Sequence, residues 1–171
     1  SIDEAFLNFS GMTILDLNVY GAEIQHRILK WLSIPIGIGF APTKALSKVA
    51  NKIAKKFPER TNGVYVIDTE EKRIKALKWT KIEDVWGIGF RLTKKMQARN
   101  IKTAYDFTLP YNEAFIRKEM GVVGMRLKYE LEGKSVLEIE EPKAKKNIAV
   151  TRSFEKDITD FNELKERVVT F

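Results

Sequence analysis

A chain of 171 residues, 44% hydrophobic and 31% charged, carries enough apolar material for at least one packed core and too much for a disordered polypeptide. With no cysteine there is no disulfide framework, zinc finger or thiol nucleophile, which excludes the secreted mini-scaffolds. Thirty Lys and Arg against 23 Asp and Glu leave a net charge of +7, and the longest strongly apolar stretch, Ile34 to Ala41, is far short of the ~20 residues a membrane helix requires. No basic-then-apolar signal pattern opens the chain, so it reads as a soluble protein. It starts at Ser1 without a methionine and runs at once into an apolar segment, from which a longer parent is expected.

Ile2 to Phe9 reads as a buried strand closing at a Ser10-Gly11 turn, followed by a helix over Gly21 to Leu32 with Ile24, Ile28, Leu29 and Leu32 at helical spacing. Ile34, Ile36, Ile38 and Phe40 alternate in a second strand broken by Pro35 and glycines. Thr43 is placed to cap the next helix, about Lys44 to Phe57. Leu46, Val49, Ala50, Ile53 and Phe57 share one face of that helix, while Lys44, Lys48, Lys52 and Lys55 stride along another. Pro58 to Gly63 is polar and marks a domain boundary, after which Val64 to Ile67 is a short strand. Helices then follow near Ile74 to Lys78, Ile82 to Val85, Phe90 to Arg99, Thr103 to Phe107, Asn112 to Met120 and Gly124 to Leu131, punctuated by Gly87, Gly89, Gly121 and Gly133. Glu138 to Lys146 is charged and aperiodic, as a linker would be; Ile148 to Phe154 reads as a strand and Phe161 to Val169 as a helix. The fold class is α+β.

Positive charge is segregated. Lys44 to Arg60 is net +5, Arg91 to Lys102 is net +5 and Lys143 to Arg152 is net +4, so the rest of the chain is net −7. Clusters of this kind are the footprint of a polyanion-binding surface, since each neutralised phosphate releases counterions; a basic helix face that is merely solvated is the plainer alternative.

Two motifs carry chemistry. Asp3-Glu4 sets two acids inside an apolar strand, where unpaired carboxylates would cost several kcal/mol each, roughly, if buried. A divalent metal with hard oxygen ligands would compensate them, unless they are strand-end acids facing water. Because successive strand side chains alternate faces, a shared site needs a strand end or a distorted backbone. The second motif, Ile82 to Gly89 followed by Leu92 and Met96, has the form of a helix-hairpin-helix. Its glycines let a phosphate backbone approach the free amides that open the second helix, with Arg91, Lys94, Lys95 and Arg99 just beyond. An ordinary helix turn is the alternative, and Trp86 belongs to the core in either case. Tyr20, Trp31 and Trp79 read as core or rim packing. His26 is the single histidine, so no Ser-His-Asp or histidine-rich metal site is available. Gly37-Ile38-Gly39 lacks the spacing of a dinucleotide fingerprint.

Ser1-Ile2-Asp3-Glu4-Ala5-Phe6 resembles the second catalytic motif of the Y-family translesion DNA polymerases, and Gly37 to Asn51 resembles the palm strand and helix that follow it. Asp84-Val85-Trp86-Gly87-Ile88-Gly89 is similar to the thumb hairpin of that family. Trp86, Ala54 to Phe57 and Thr151 to Phe154 are most similar to its bacterial SOS mutagenesis branch, the UmuC-like proteins. The resemblance implies a partial palm over 1–60, a thumb over 61–137, a linker over 138–147 and the start of an α/β little finger over 148–171. It implies error-prone, template-directed nucleotidyl transfer past damaged DNA, with Asp3 and Glu4 as two of three catalytic carboxylates on two Mg²⁺ ions. Lys55 would hold the incoming triphosphate, although Lys48 and Lys52 compete for that role. Gly87, Ile88 and Gly89 would bind the primer backbone, with Arg91, Lys94, Lys95 and Arg152 as further DNA contacts.

The same resemblance implies primer-template DNA and deoxynucleoside triphosphates as partners, a sliding clamp and SOS accessory subunits reached through a C-terminal region, no membrane, and a cytoplasmic, nucleoid-associated location. The family's third carboxylate, fingers and sugar-discriminating aromatic belong upstream of Ser1, so this chain alone is expected not to polymerise DNA. Asp16 is the nearest spare acid and sits in no family motif. The runner-up is a non-catalytic DNA-binding protein using the hairpin and the lysine helix, and a scaffold or RNA-binding module has only the basic windows in its favour.

Overall fold

The computed structural model describes residues 4–13, 16–139, 147–149, 151 and 153–170. Asp16 starts the first helix. Its carboxylate accepts the amides of Asn18 at 2.8 Å and Val19 at 3.2 Å, so α1 (Leu17–Leu32) begins a turn before its apolar spacing does. The spare acid of the sequence reading is a helix cap. β1 (Ile38–Phe40) pairs in parallel with β2 (Val64–Val66), and the connection between them is α2 (Lys44–Lys56), capped by Thr43 as expected, and the single turn α3 (Pro58–Thr61). The strand expected from Ile34 is thus shortened to its last three residues. Pro35 has no amide to give a ladder, and the Ile36 carbonyl accepts Gln25 Nε2 at 2.8 Å instead. The same Gln25 nitrogen donates to the Gly63 carbonyl at 2.9 Å, so one side chain of α1 holds the chain just before each strand.

The small sheet is a middle layer. Gly21 of α1 lies so close to it that a Cβ there would stand 2.7 Å from Val64 Cγ1. On the opposite face Gly39 meets the backbone of α2, where a Cβ would stand 2.3 Å from the Asn51 nitrogen and 2.4 Å from the Ser47 carbonyl oxygen. Phe9, Leu17 and Tyr20 pack with Phe40, Val64 and Val66 on the α1 side. A second, larger core holds the rest together. It joins Leu46, Val49 and Ile53 of α2 to Leu77 of α4 (Glu70–Trp79), to Ile82, Val85 and Ile88, to Met96 of α5 (Phe90–Ala98), to Phe107 of α6 (Ala104–Thr108), and to Ile116 and Leu131 of α7 (Glu113–Leu131). This core continues across the polar Pro58 to Gly63 segment. The two helices expected on either side of Gly121 are both present, as arms of α7 broken where Gly121 takes φ 61° and ψ −144°.

Glu130 fastens α7 to α2. It is fully buried, yet its carboxylate is satisfied: Oε2 accepts the Ala45 amide at 3.2 Å, and Oε1 accepts the amides of Val136 at 2.7 Å and Leu137 at 2.9 Å. Thr43 Oγ1 donates to the Glu130 carbonyl at 2.7 Å. An anion at the N-terminus of α2 is also favoured by the dipole of that helix.

Three expectations are corrected. Residues 4–9 form no strand, because no neighbouring strand among the described residues pairs with them and Phe6 and Phe9 are held by ring contacts instead. Trp86 is not core but 42% exposed, and Trp31 is 69% exposed beside Arg27. The described residues of 148–154 form no strand either, again with no partner strand beside them. The chain divides into two compact units, Ser1–Ile139 and Glu140–Phe171. In the second, α8 (Phe161–Val169) has the bounds read from the sequence, with Asp160 accepting the Glu163 amide at 2.9 Å as its cap. Asp3, Arg152 and most of the expected linker lie outside the described residues. No helix among the described residues is long and apolar enough to cross a membrane.

Replacing Glu130 by leucine fills the volume but strands the buried Ala45 amide and the part-buried amides of Val136 and Leu137, a buried one being worth about 1–3 kcal/mol. Glu130→Leu should therefore lower stability by about 3 kcal/mol in urea unfolding; a loss under about 1 kcal/mol would show that the carboxylate is not a fastening. Acid should also destabilise the fold through Glu132. Burial pushes its carboxyl up, but the hydrogen bonds and charges of Lys128 and Lys134 outweigh burial and hold it below its ordinary value of 4.5. A depressed carboxylate stabilises fully above the unfolded value and loses that contribution as pH falls through the folded one. Unfolding midpoints from about pH 6 to about pH 3 should fall less steeply in Lys134→Met than in the parent.

Candidate nucleic-acid interface

The lysine row of α2 follows from its sequence: Lys44, Lys48 and Lys52 recur every fourth residue, on a face that neither the sheet nor the helical core covers. Each finds a different partner. Lys44 Nζ donates to the Glu138 carbonyl and lies 5.5 Å from the centre of the Phe6 ring. Lys48 forms an ion pair with Glu4 and lies 5.9 Å from the Trp86 ring, and Lys52 forms an ion pair with Asp84. Phe6 and Trp86 close the arrangement with ring centres 5.9 Å apart. The N-terminal segment and the hairpin therefore meet over the lysine face. Lys55, one turn on, is exposed and has no acid partner among the described residues; its stem lies against Gly37, where a Cβ would stand 2.7 Å from Lys55 Cγ. Asn51 Oδ1, beside the same glycine, is buried without a hydrogen-bond partner.

At the hairpin, Ile88 is buried in the core and its amide donates to the Val85 carbonyl at 3.0 Å. Gly87, at φ 85°, makes the left-handed turn, and Gly89 stands at the N-cap of α5 without a side-chain cap. A Cβ at either glycine would meet nothing within 4 Å, so this stretch of backbone is open. The amides of Gly87, Gly89 and Phe90 have no hydrogen-bond partner among the described residues. Arg91, Lys94 and Lys95 are exposed on α5, a different helix from the lysine row, and two of them have partners of their own. Lys94 Nζ lies 4.3 Å from the Phe90 ring centre, and Lys95 binds Glu119 of α7 at 2.5 Å. That hydrogen bond, helped by the charges of Lys95 and Lys118, holds the Glu119 carboxyl below its ordinary 4.5.

The fit of Mg²⁺ can be judged from the donors. Glu4 offers a hard oxygen ligand, but the ammonium of Lys48 already sits on it, and Asp3 lies outside the described residues. Among the described residues no three His, Cys, Asp or Glu come together. These residues do not by themselves make up a metal site.

A family model described as the impB/mucB/samB family matches residues 1–52. Protein UmuC of Salmonella typhimurium is 39% identical over 173 residues, a match covering 100% of this chain and 41% of that protein. The chain is a UmuC/ImpB/MucB/SamB-family homologue. Protein ImpB of Salmonella typhimurium is 35% identical over 175 residues, with the same shares covered, 100% and 41%. DNA polymerase IV of Oceanobacillus iheyensis is 29% identical over 172 residues, covering 98% of this chain and 39% of that protein. The chain spans about two fifths of the length of the curated relatives it matches.

For this homologue the structure adds residues that sequence spacing did not single out. Phe6, Asp84 and Trp86 close over the lysine face, and Glu119 shares Lys95. The available signal was Trp86 itself, a large ring directly before a glycine turn. Glu130 also left a signal, since an acid between Leu127 and Leu131 sits on an otherwise apolar stripe. Because Glu119 neutralises Lys95, the variant Glu119→Gln should bind DNA about two- to threefold more tightly, with the salt slope steeper by roughly 0.9. Fluorescence anisotropy over a salt series checks this, and an unchanged slope would remove Lys95 from the surface.

Proposed function

We propose that this chain is part of an error-prone, DNA-directed DNA polymerase that copies past damaged templates in the bacterial SOS response. The observation that carries the reading is the meeting of Glu4, the lysine row of α2 and the hairpin residues Asp84 and Trp86 on one face. An acid motif, a cationic helix and a backbone-binding turn are what nucleotidyl transfer on a primed template needs side by side. On this reading 1–60 is a partial palm, 61–137 a thumb, 138–147 a linker and 148–171 the start of a little finger.

Asp3 and Glu4, with a further carboxylate of the parent, would hold Mg²⁺, and that metal would supply the positive charge that phosphoryl transfer develops a need for. Lys55, exposed and without an acid partner among the described residues, is the lysine best able to take a triphosphate, whereas Lys48 and Lys52 are already paired. Gly87 and Gly89 would present their amides to a primer phosphate, with Ile88 as the buried anchor of the turn and Arg91, Lys94, Lys95 and Arg152 adding charge along the strand. Contacts of this type position a backbone without reading bases, which suits a polymerase that accepts damaged templates. Primer-template DNA and deoxynucleoside triphosphates are the partners, with a sliding clamp and SOS accessory subunits engaged by the parent in a cytoplasmic, nucleoid-associated setting.

Primer extension by the full-length parent, with Mg²⁺, four nucleotides and any activating subunits, should be abolished by Asp3→Ala or Glu4→Ala while DNA binding is kept. A folded, DNA-binding parent that never extends a primer would instead be a non-catalytic DNA-binding protein. The 171-residue chain should itself bind DNA with an affinity that falls steeply with salt.

A further inference from the structure

One polar atom of α2 is left without a partner by the fold. Asn51 Oδ1 is buried and accepts no hydrogen bond among the described residues, although a buried acceptor left unmade costs free energy that an apolar side chain of similar size would not. Folding therefore gives no reason for a carboxamide at this position. Its neighbour does. Asn51 and Lys55 stand four residues apart on α2 and so share a face of that helix, and both side chains crowd the place where Gly37 has no Cβ. A Cβ there would stand 2.8 Å from Asn51 Oδ1, 2.7 Å from Lys55 Cγ and 3.2 Å from Lys55 Cε. The missing side chain of Gly37 makes the slot in which the stem of Lys55 lies, and the orphan oxygen opens onto the same slot. Oxygen and ammonium-bearing carbon flank one point, so a small swing of the lysine's end brings donor and acceptor together.

We infer that Asn51 is a positioning residue for Lys55: its Oδ1 accepts one of the three ammonium hydrogens when nucleotide binds, which aims the other two at the triphosphate. This rests on the reading of Lys55 as the lysine that takes the triphosphate. A lysine is a point charge on a flexible four-carbon stem, and fixing it costs rotamer freedom. The slot at Gly37 restrains the stem beforehand, and the carboxamide fixes the head. A neutral acceptor suits the task. A carboxylate here, like Glu4 on Lys48 or Asp84 on Lys52, would cancel the charge that a phosphate has to meet. The orphan oxygen thus costs stability in the free protein and regains its hydrogen bond in the nucleotide complex.

The test is single-nucleotide insertion by the full-length parent on a primed template, with Mg²⁺ and any activating subunits, over a range of nucleotide concentrations. The unaltered protein is compared with Asn51→Leu, Lys55→Met and the double variant. Asn51→Leu should raise the nucleotide KM about tenfold, the loss of one hydrogen bond to a charged group, with kcat kept within about twofold. Lys55→Met should raise KM as well, and adding Asn51→Leu to it should change KM no further, because the oxygen acts through the ammonium. In the 171-residue chain, Asn51→Leu should raise the thermal unfolding midpoint by about 2–4 °C, since it removes an unsatisfied buried acceptor. That gain separates positioning from damage to the fold. An unchanged KM in Asn51→Leu, an equal rise with and without the Lys55 ammonium, or a lower midpoint would each overturn the role of Asn51 while leaving Lys55 as the triphosphate lysine. An unchanged KM in Lys55→Met, or a parent that never extends a primer, would overturn that assignment and the positioning role with it.

Discussion

One buried carboxylate sets the frame within which the candidate site is built. Glu130 receives amides from the start of α2 and from the Val136-Leu137 segment, so a single side chain fixes the end of α7, the beginning of α2 and the path of the chain as it leaves α7. Lys44 continues the fastening by donating to the Glu138 carbonyl. A charge in so apolar a place is tolerated because its oxygens meet aligned donors, and because the N-terminus of α2 supplies a favourable dipole. If that point moved, the first turn of α2 would move with it, and so would the lysines that follow.

α2 is then used on three sides. One side meets the sheet through Gly39 at backbone distance, a second contributes Leu46, Val49 and Ile53 to the large core, and the third carries the lysines. A helix held this closely on two sides presents its charges at fixed positions, as polyanion binding requires. Those charges are also restrained. Lys48 and Lys52 are matched by Glu4 and Asp84, so the net +5 of the Lys44 to Arg60 window overstates what a ligand meets before those pairs open. An arriving phosphate must compete with carboxylates already present, which favours ligands bearing several phosphates over isolated anions.

Much of this was legible in the sequence because local chemistry decided it. Thr43 and the apolar spacing placed α2, the glycine and apolar pattern placed the hairpin, and Gly121 placed the break in α7. What failed depended on distant partners. A strand exists only beside another strand, so the apolar run that ends at Phe9, over its described residues 4–9, and the alternation over Ile34 to Phe40 overestimated how much would pair. Trp86, expected in the core, stays outside because the buried positions of its turn are taken by Val85 and Ile88, and the ring turns to Phe6 and Lys48. The acid partners of the lysines were equally invisible, since Glu4 and Asp84 are distant from them in sequence. The motif resemblance supplied the family, and the relatives bear it out over the whole chain.

Gln25 has a consequence for the sheet that its place on a helix conceals. Two strands of three residues are too short to choose their own alignment, since sliding one by a single residue would cost few hydrogen bonds while turning its side chains to the opposite face. Gln25 prevents that slide from outside the sheet, because its one nitrogen bonds the carbonyls of Ile36 and Gly63 together and any slip would break that double grip. The register that sends Phe40 and Val64 toward α1, and sets Gly39 against the backbone of α2, is therefore written in a helix rather than in the strands it aligns.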